Sequence, residues 1–360
     1  MIADLERFTG DDKGLEAPAL RDLLGRLIDS EQGGGQLVKV EKLKAHVYRL
    51  HYQIGKQSRA MVVKRLDPDV AQRNRLVVQR WLPAGGMAGS APRLLGMAPE
   101  ADGQATWLAL EDLGGRTLES QKGRRSSVQK AVESIARLHK RFAEHPLLAE
   151  VRLWGGELGM PFYASNVRDA QRCIEAIRTP AVVLKPEHRA LRERLLERLD
   201  QLEATRPQRA ELLQRAGGSE TLLHGDLWIS NVFVLQAKVE PIVRFIDWDH
   251  AAVGPVSYDL STFLLRFPEG ERSWIVDSYL DAVADLGWPR LSVSLWNQLF
   301  ETAELSRITN RLIWPALAIL DGDTSWGFDA LSEIETWFNA LRPVLSEDSG
   351  QPPGGDDGGD

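Results

Sequence analysis

The chain has 360 residues, 43% hydrophobic and 26% charged, with a formal net charge of −7. That is enough chain for a sizeable core and more than one lobe, in an ordinary mix for a globular protein. No apolar run reaches the roughly 20 residues of a membrane span, and no basic stripe points to nucleic acid. A single cysteine, Cys173, excludes an intrachain disulfide and fits a reducing, cytoplasmic setting.

Residues 1–7 lack the basic and then apolar pattern of a secretory leader, so none is expected. From about 17 to 29, Leu20, Leu23, Leu24, Leu27 and Ile28 share one face at helical spacing. Gly33-Gly34-Gly35 is expected to end that helix as a flexible joint. Alternating runs at 37–43, 47–54 and 60–64 predict antiparallel strands. Asp69 is expected to cap a helix that ends near Trp81-Leu82, before Pro83 and Gly85-Gly86. Two more strands ending at Leu110 complete a five-strand, one-helix lobe over residues 1–112.

After Gly114-Gly115 the period changes. Val128, Val132, Ile135, Leu138 and Phe142 predict a helix from Ser126 or Ser127 to Phe142, and charged helices follow over about 165–178 and 186–215. Residues 222–247 read as a hairpin, and helices resume over about 258–344. A helical lobe is therefore expected over 113–345. Residues 346–360, rich in Gly, Pro and acids, predict a disordered tail.

The chemistry concentrates in Leu222-Leu223-His224-Gly225-Asp226-Leu227-Trp228-Ile229-Ser230-Asn231, followed by Phe245-Ile246-Asp247-Trp248-Asp249. Phosphoryl transfer needs one carboxylate to take the acceptor hydroxyl's proton. It also needs an amide oxygen and a second carboxylate to hold magnesium on the phosphates. The protein-kinase catalytic loop has the same aspartate-to-asparagine spacing, with its metal aspartate later in the chain.

These residues resemble the aminoglycoside phosphotransferase and choline kinase group of small-molecule kinases, which write the loop His-Gly-Asp. Gly254-Pro255-Val256-Ser257-Tyr258-Asp259-Leu260 and Ile135-Ala136-Arg137-Leu138-His139 extend the resemblance, as do Ala91-Pro92-Arg93-Leu94-Leu95-Gly96 and Leu108-Ala109-Leu110-Glu111-Asp112-Leu113. It runs from about residue 36 to about residue 270. The resemblance implies an α+β, bilobal protein-kinase-like fold, with a small antiparallel-sheet N-lobe, a hinge near 110–114 and a mostly helical C-lobe. It further implies an ATP- or GTP-dependent, Mg2+-requiring O-phosphotransferase acting on a small-molecule hydroxyl, such as that of an aminoglycoside or amino alcohol.

By this resemblance Asp226 is the general base, and Asn231 and Asp247 are the magnesium ligands. Lys64, closing an apolar strand, meets the α- and β-phosphates, while Glu111 and Leu113 offer backbone carbonyl and N–H to the nucleobase. His224 is expected to brace the loop, Asp259 to tie its helix to that loop, and His139 to be buried with its hydrogen bonds satisfied. Asp249 is either an outer partner of the metal or a surface group.

Two features depart from the pattern. No acid lies between Asp69 and Glu100, so the glutamate that kinases pair with the strand lysine has no counterpart. Asn74, Gln72, Gln79 and Asp247 are the candidates to replace it. Lys42-Leu43-Lys44-Ala45-His46 stands where the family has glycine or serine near phosphate, and Lys42 or Lys44 could compensate by charge. Both departures favour a competing class, a nucleotide- or partner-binding module without turnover; the intact Asp226, Asn231 and Asp247 oppose it.

Residues 251–345 hold 13 acids against 6 bases, together with Trp274, Trp288, Trp296, Trp314, Trp326 and Trp337. Acids beside aromatic faces suit cations, which predicts an acceptor pocket between the catalytic loop and the helices of about 258–344 for a polar or cationic hydroxyl compound. The alternative is packing tryptophans and solvated acids. No pattern in the chain specifies an oligomer.

Overall fold

The structure, a computed structural model, describes residues 17–29, 35–178 and 182–347. Residues 1–7, Gly33, Gly34 and the expected tail beyond Glu347 lie outside the described residues. In chain order the elements are α1 (Pro18–Leu24), β1 (Gly35–Lys44), β2 (Val47–Ile54), β3 (Gln57–Leu66), α2 (Pro68–Leu76), β4 (Leu94–Pro99) and β5 (Thr106–Glu111). There follow α3 (Arg125–Phe142), α4 (Leu148–Gly155), α5 (Met160–Ala176), α6 (Pro186–Ala216), β6 (Thr221–Leu223), β7 (Val232–Leu235), β8 (Ile242–Phe245) and β9 (Ala252–Gly254). The chain continues through α7 (Val256–Leu264), α8 (Glu269–Ala282), α9 (Val293–Leu320) and α10 (Thr324–Ala340).

The described chain divides into two compact units. One comprises the residues up to Ala131 together with Ile229–Ala251; the other comprises Val132–Trp228 and the residues from Ala252 onward. The first unit thus runs past the expected boundary at 112 and takes in a later excursion of the chain.

In the first unit β1 to β5 form one antiparallel sheet in the order β1-β2-β3-β5-β4. Strand β3 is longer than the expected 60–64 because its turn from β2 is only Gly55-Lys56. Ile54 pairs with Gln57, and Gly55 supplies the positive φ of 58° that such a two-residue turn demands. The helix expected from the leucine spacing over about 17–29 is present as α1, so the lobe holds it beside α2. Leu20, Leu23 and Leu24 of α1 pack with Leu50, Met61, Val63 and Trp107 of the sheet in one buried cluster. Gly96 of β4 permits this approach, since a Cβ there would sit 2.7 Å from Leu23 Cδ1. Asp69 does not cap α2. The helix opens two residues earlier than that cap implies, at Pro68, with Asp67 in the cap position and Asp69 in the first turn. Proline suits a helix start because its missing N–H is unneeded there, and a carboxylate in the first turn suits the positive end of the helix. A five-residue wide turn, Val77–Trp81, carries the helical path on to Ala84.

Residues 222–247 do not form one hairpin. β7 pairs with β8 in the first unit, while β6 pairs with β9 in the second. A short 3-10 turn stands at each end of the β7–β8 pair, Ile229–Asn231 before it and Trp248–His250 after it. The second unit is mostly helical. Tyr163, Val167, Ala170 and Ile174 of α5 meet Leu191, Leu195, Leu199 and Leu202 of α6 in its core. Leu305, Ile308 and Leu312 of α9 and Leu331, Ile334 and Phe338 of α10 complete it. These positions recur every three or four residues, the period that places a single apolar stripe on each helix.

Candidate active site

The site residues fall in two places, one in each unit. In the first, the β7–β8 pair sets two residues side by side. Asn231 immediately precedes β7, Asp247 lies two residues past the end of β8, and Val232 pairs with Phe245. Ile246 N–H donates to Asn231 C=O at 2.9 Å, closing the pair at its open end. Asp247 adopts φ 67°, ψ 53°, a left-handed conformation that aspartate tolerates better than most residues.

Lys64 lies near the end of β3 and is only 8% exposed. Its Nζ donates to Asp247 Oδ1 and to both carboxylate oxygens of Asp249, at 2.7 Å each for the latter. Asp249 is held in turn by Asn74 Nδ2 at 3.0 Å, and its carbonyl accepts from Arg73 Nη1. The lysine's missing glutamate is therefore replaced by the Asp247-Trp248-Asp249 turn, with Asn74 of α2 bracing the second carboxylate. Of the two readings left open for Asp249, the surface one is excluded. The sequence signal was the spacing: Trp248 is buried at 1% exposure, and the 3-10 turn that seats it brings both flanking carboxylates to one lysine.

Lys44, at the end of β1, donates from Nζ to Asp247 Oδ2 at 2.7 Å. Lys44 pairs with Val47 across the turn Ala45-His46, and His46 takes φ 60°. A histidine thus adopts the left-handed backbone for which glycine is the usual choice. Burial works to raise the pKa of Asp247, but the charges of Lys64 and Lys44 outweigh it and hold the carboxyl well below its ordinary range.

A cavity of about 320 Å3 in this unit is lined by all five residues expected to bind nucleotide or metal: Lys64, Glu111, Leu113, Asn231 and Asp247. Val47, Val62, Leu110, Phe233 and Ile246 supply apolar walls. The Glu111 N–H is occupied by Arg93 C=O at 2.9 Å, and its carboxylate meets Arg244 Nη1 at 2.6 Å. Any role for Glu111 toward a base therefore falls to its carbonyl.

In the second unit, the loop after β6 carries Asp226. Gly225 has φ 82°, a conformation strained for any residue with a Cβ. Asp259 of α7 is fully buried and accepts from His224 N–H at 2.7 Å and Gly225 N–H at 2.9 Å. His139 Nε2 stands 3.3 Å from the same carboxylate, and its Nδ1 stands 2.9 Å from Tyr279 Oη. His224 Nδ1 accepts from Asp226 N–H at 3.4 Å. Burial pushes the pKa of Asp259 up, and the hydrogen bond and charge of His139, with those of His224, outweigh it and hold it low. The expected bracing by His224, Asp259 and His139 is met by these contacts.

Asp259→Ala is expected to cost about 3 kcal/mol or more, because it leaves two loop N–H groups and a buried histidine without their acceptor. Denaturant melts of the variant and parent at pH 7 check this. A difference under about 1 kcal/mol would mean the loop is held by something else.

Asp226 borders a cavity of about 820 Å3. The expected arrangement of acids beside open tryptophan faces is not found there. Arg266 lies over Trp228 at 3.4 Å and Arg311 over Trp337 at 5.1 Å. Trp296 is buried against Phe300, and Trp314 and Trp326 are more than half exposed. Charge summed along a stretch of sequence does not say which helix face carries it, and here the acids mostly face away.

The phosphotransferase enzyme family matches residues 39–293. The chain belongs to that family. This phosphotransferase is accordingly a small-molecule kinase. Among solved structures it is similar to a Plasmodium vivax ethanolamine kinase, with a TM-score of 0.54 at 15% identity over 84% of this chain and 81% of that one. A spectinomycin phosphotransferase solved with ADP and spectinomycin matches with a TM-score of 0.51 at 11% identity, over 91% and 95% of the two chains. Likeness at these identities concerns the fold, which is kinase-like: a five-strand antiparallel sheet followed by a mostly helical region. Among curated proteins there is no significant match. No helix among the described residues is long and apolar enough to cross a membrane.

Proposed function

We propose that this phosphotransferase transfers the γ-phosphoryl group of ATP or GTP to a hydroxyl of a small molecule, with magnesium on the nucleotide. The observation that carries the reading is the meeting of Lys64, Asn231 and Asp247 on one apolar-walled cavity of the first unit. The apolar walls suit a nucleobase, with the Glu111 carbonyl and the Leu113 N–H as its edge partners. Lys64 and Lys44 suit the charge of the phosphates.

The donor set fits magnesium. This ion takes one or two protein oxygens and leaves its other positions to phosphates and water, which Asp247 and Asn231 supply. Bound there, magnesium would neutralise charge on the β- and γ-phosphates. Asp226 takes the proton of the attacking hydroxyl, and Asp259 and His224 fix the backbone that presents it. Aminoglycosides and amino alcohols stand as acceptors by family resemblance, and the arginines beside Asp226 lend them no support. A cytoplasmic setting rests on the lone, half-buried Cys173, whose thiol burial pushes up and makes less reactive.

The test is transfer of label from [γ-32P]ATP or GTP to a panel of hydroxyl compounds, with magnesium and with chelator. Label on an acceptor, lost with chelator, is expected. Tight nucleotide binding with no label on any acceptor would favour the non-catalytic binding module instead.

A further inference from the structure

The charge distribution around Asp226 runs against the composition of the chain. Residues 251–345 carry 13 acids and 6 bases. Of the six bases, Arg266, Arg272, Arg307, Arg311 and Arg342 all border the 820 Å3 cavity, whereas of the 13 acids only Glu269 and Glu304 do, joined there by Asp226 and Glu347 from outside the stretch. Selective gathering of bases from an acid-rich stretch is the opposite of what a solvated acidic surface or a cation pocket would give.

Two of these arginines, Arg266 and Arg311, remain available to a ligand. Glu304 is engaged by Arg307 Nη1 at 2.5 Å, and Arg307 also donates to the Tyr258 carbonyl. Arg266 and Arg311 make no ion pair among the described residues. Each lies over a tryptophan ring, Arg266 over Trp228 and Arg311 over Trp337, and a guanidinium paired through its face keeps its N–H groups for an oxyanion. Arg266 Nε is buried without a hydrogen-bond partner among the described residues. So is Thr262 Oγ1, on a residue 4% exposed that stands one helical turn before Arg266 in the cavity wall. Buried polar atoms are nearly always paired, and both of these unpaired ones belong to residues of this one wall. Burial holds the Arg266 guanidinium below its ordinary pKa, against the pull of Glu304 and Asp226 and with a smaller repulsion from Arg307 and Arg311.

Resting on the kinase reading above, we propose that the acceptor carries an oxyanion, a carboxylate or a phosphate ester, which Arg266, Arg311 and Thr262 seat while its hydroxyl is presented to Asp226. The acceptor is then a hydroxy acid or a hydroxylated phosphate ester rather than a polycation. An amine at this end of the cavity would face two arginines.

The experiment titrates the full chain with inorganic phosphate by calorimetry, its nucleotide site first saturated with Mg·ADP. Arg311→Gln and Arg266→Gln are titrated beside the parent. Phosphate is expected to bind the parent, and each substitution is expected to weaken it at least tenfold while ADP affinity stays unchanged. Arg311 is exposed, so its substitution should leave the melting temperature in place even if loss of Arg266 disturbs Trp228. Matched acceptors then separate the two chemistries: glycerol, glycerate, glycerol phosphate and choline are compared for phosphoryl transfer. Turnover of glycerate alone assigns a carboxylate, and of glycerol phosphate alone a phosphate ester. No binding of phosphate to the parent, equal binding by Arg311→Gln, or transfer confined to glycerol or choline would overturn the proposal. Failure to bind ADP, or absence of transfer to every compound despite arginine-dependent phosphate binding, would instead count against the kinase reading.

Discussion

Asp226→Asn is expected to lower kcat by on the order of 10²-fold or more, with nucleotide affinity and melting temperature close to those of the parent. A hundredfold loss corresponds to about 2.7 kcal/mol of barrier, the size of a missing general base. The side chain keeps its shape, and Gly225, His224 and Asp259 keep the loop backbone in place through contacts that do not involve the Asp226 carboxylate. The first unit's cavity, proposed above for the nucleotide, does not include Asp226, so ADP titrations should not change. Steady-state kinetics on the identified acceptor, with ADP calorimetry as control, decides it. Near-parental kcat would remove Asp226 from the chemistry; weakened ADP binding would assign it to the nucleotide instead. Asp259→Ala should be distinguishable, because it lowers stability as well as rate.

The sheet and the long helices were legible because each rests on a local signal. Strands 47–54 and 57–66 alternate with a tight turn between them, and the His-Gly-Asp loop has a fixed spacing to Asn231. What could not be read depends on which distant side chains meet. Asp249 looked as much like a surface acid as a partner of Lys64, since only the turn around buried Trp248 brings it there. The apparent hairpin over 222–247 failed because β6 finds its partner in β9, beyond the segment, and pattern alone does not name a strand's partner. The cation-pocket expectation failed for the same reason at the level of charge. A helix such as α9 carries Glu304, Arg307 and Arg311 within two turns, and their facing, not their sum, determines what the cavity attracts.

Asp247→Asn should abolish the magnesium dependence of nucleotide binding rather than nucleotide binding itself. In the parent, Asp247 is neutralised by Lys64 and Lys44. A metal ion arriving on ATP would take over that carboxylate and leave both lysines to the phosphates. With an amide at 247 the carboxylate is gone, and the lysines meet the phosphates whether or not metal is present. Lys64 retains Asp249. Asparagine is chosen over alanine because residue 247 sits at φ 67°, a conformation that asparagine adopts with little strain and alanine does not. The ratio of ADP or ATP affinity with and without magnesium, measured by calorimetry, is expected to fall from roughly tenfold or more to near one. Asn231→Ala should reduce it less, since an amide brings no charge. A second readout tests the ion pairs themselves. The pKa of Asp247 is depressed in the folded state. The stability it contributes is therefore fully present above the unfolded value of about 3.9 and is lost as pH falls toward the folded one. Parent and Asp247→Asn should differ in unfolding free energy at pH 7, and the gap should narrow below about pH 4. An unchanged magnesium ratio would exclude Asp247 as a metal ligand, and a gap independent of pH would exclude the charge of Asp247 as the source of that stability.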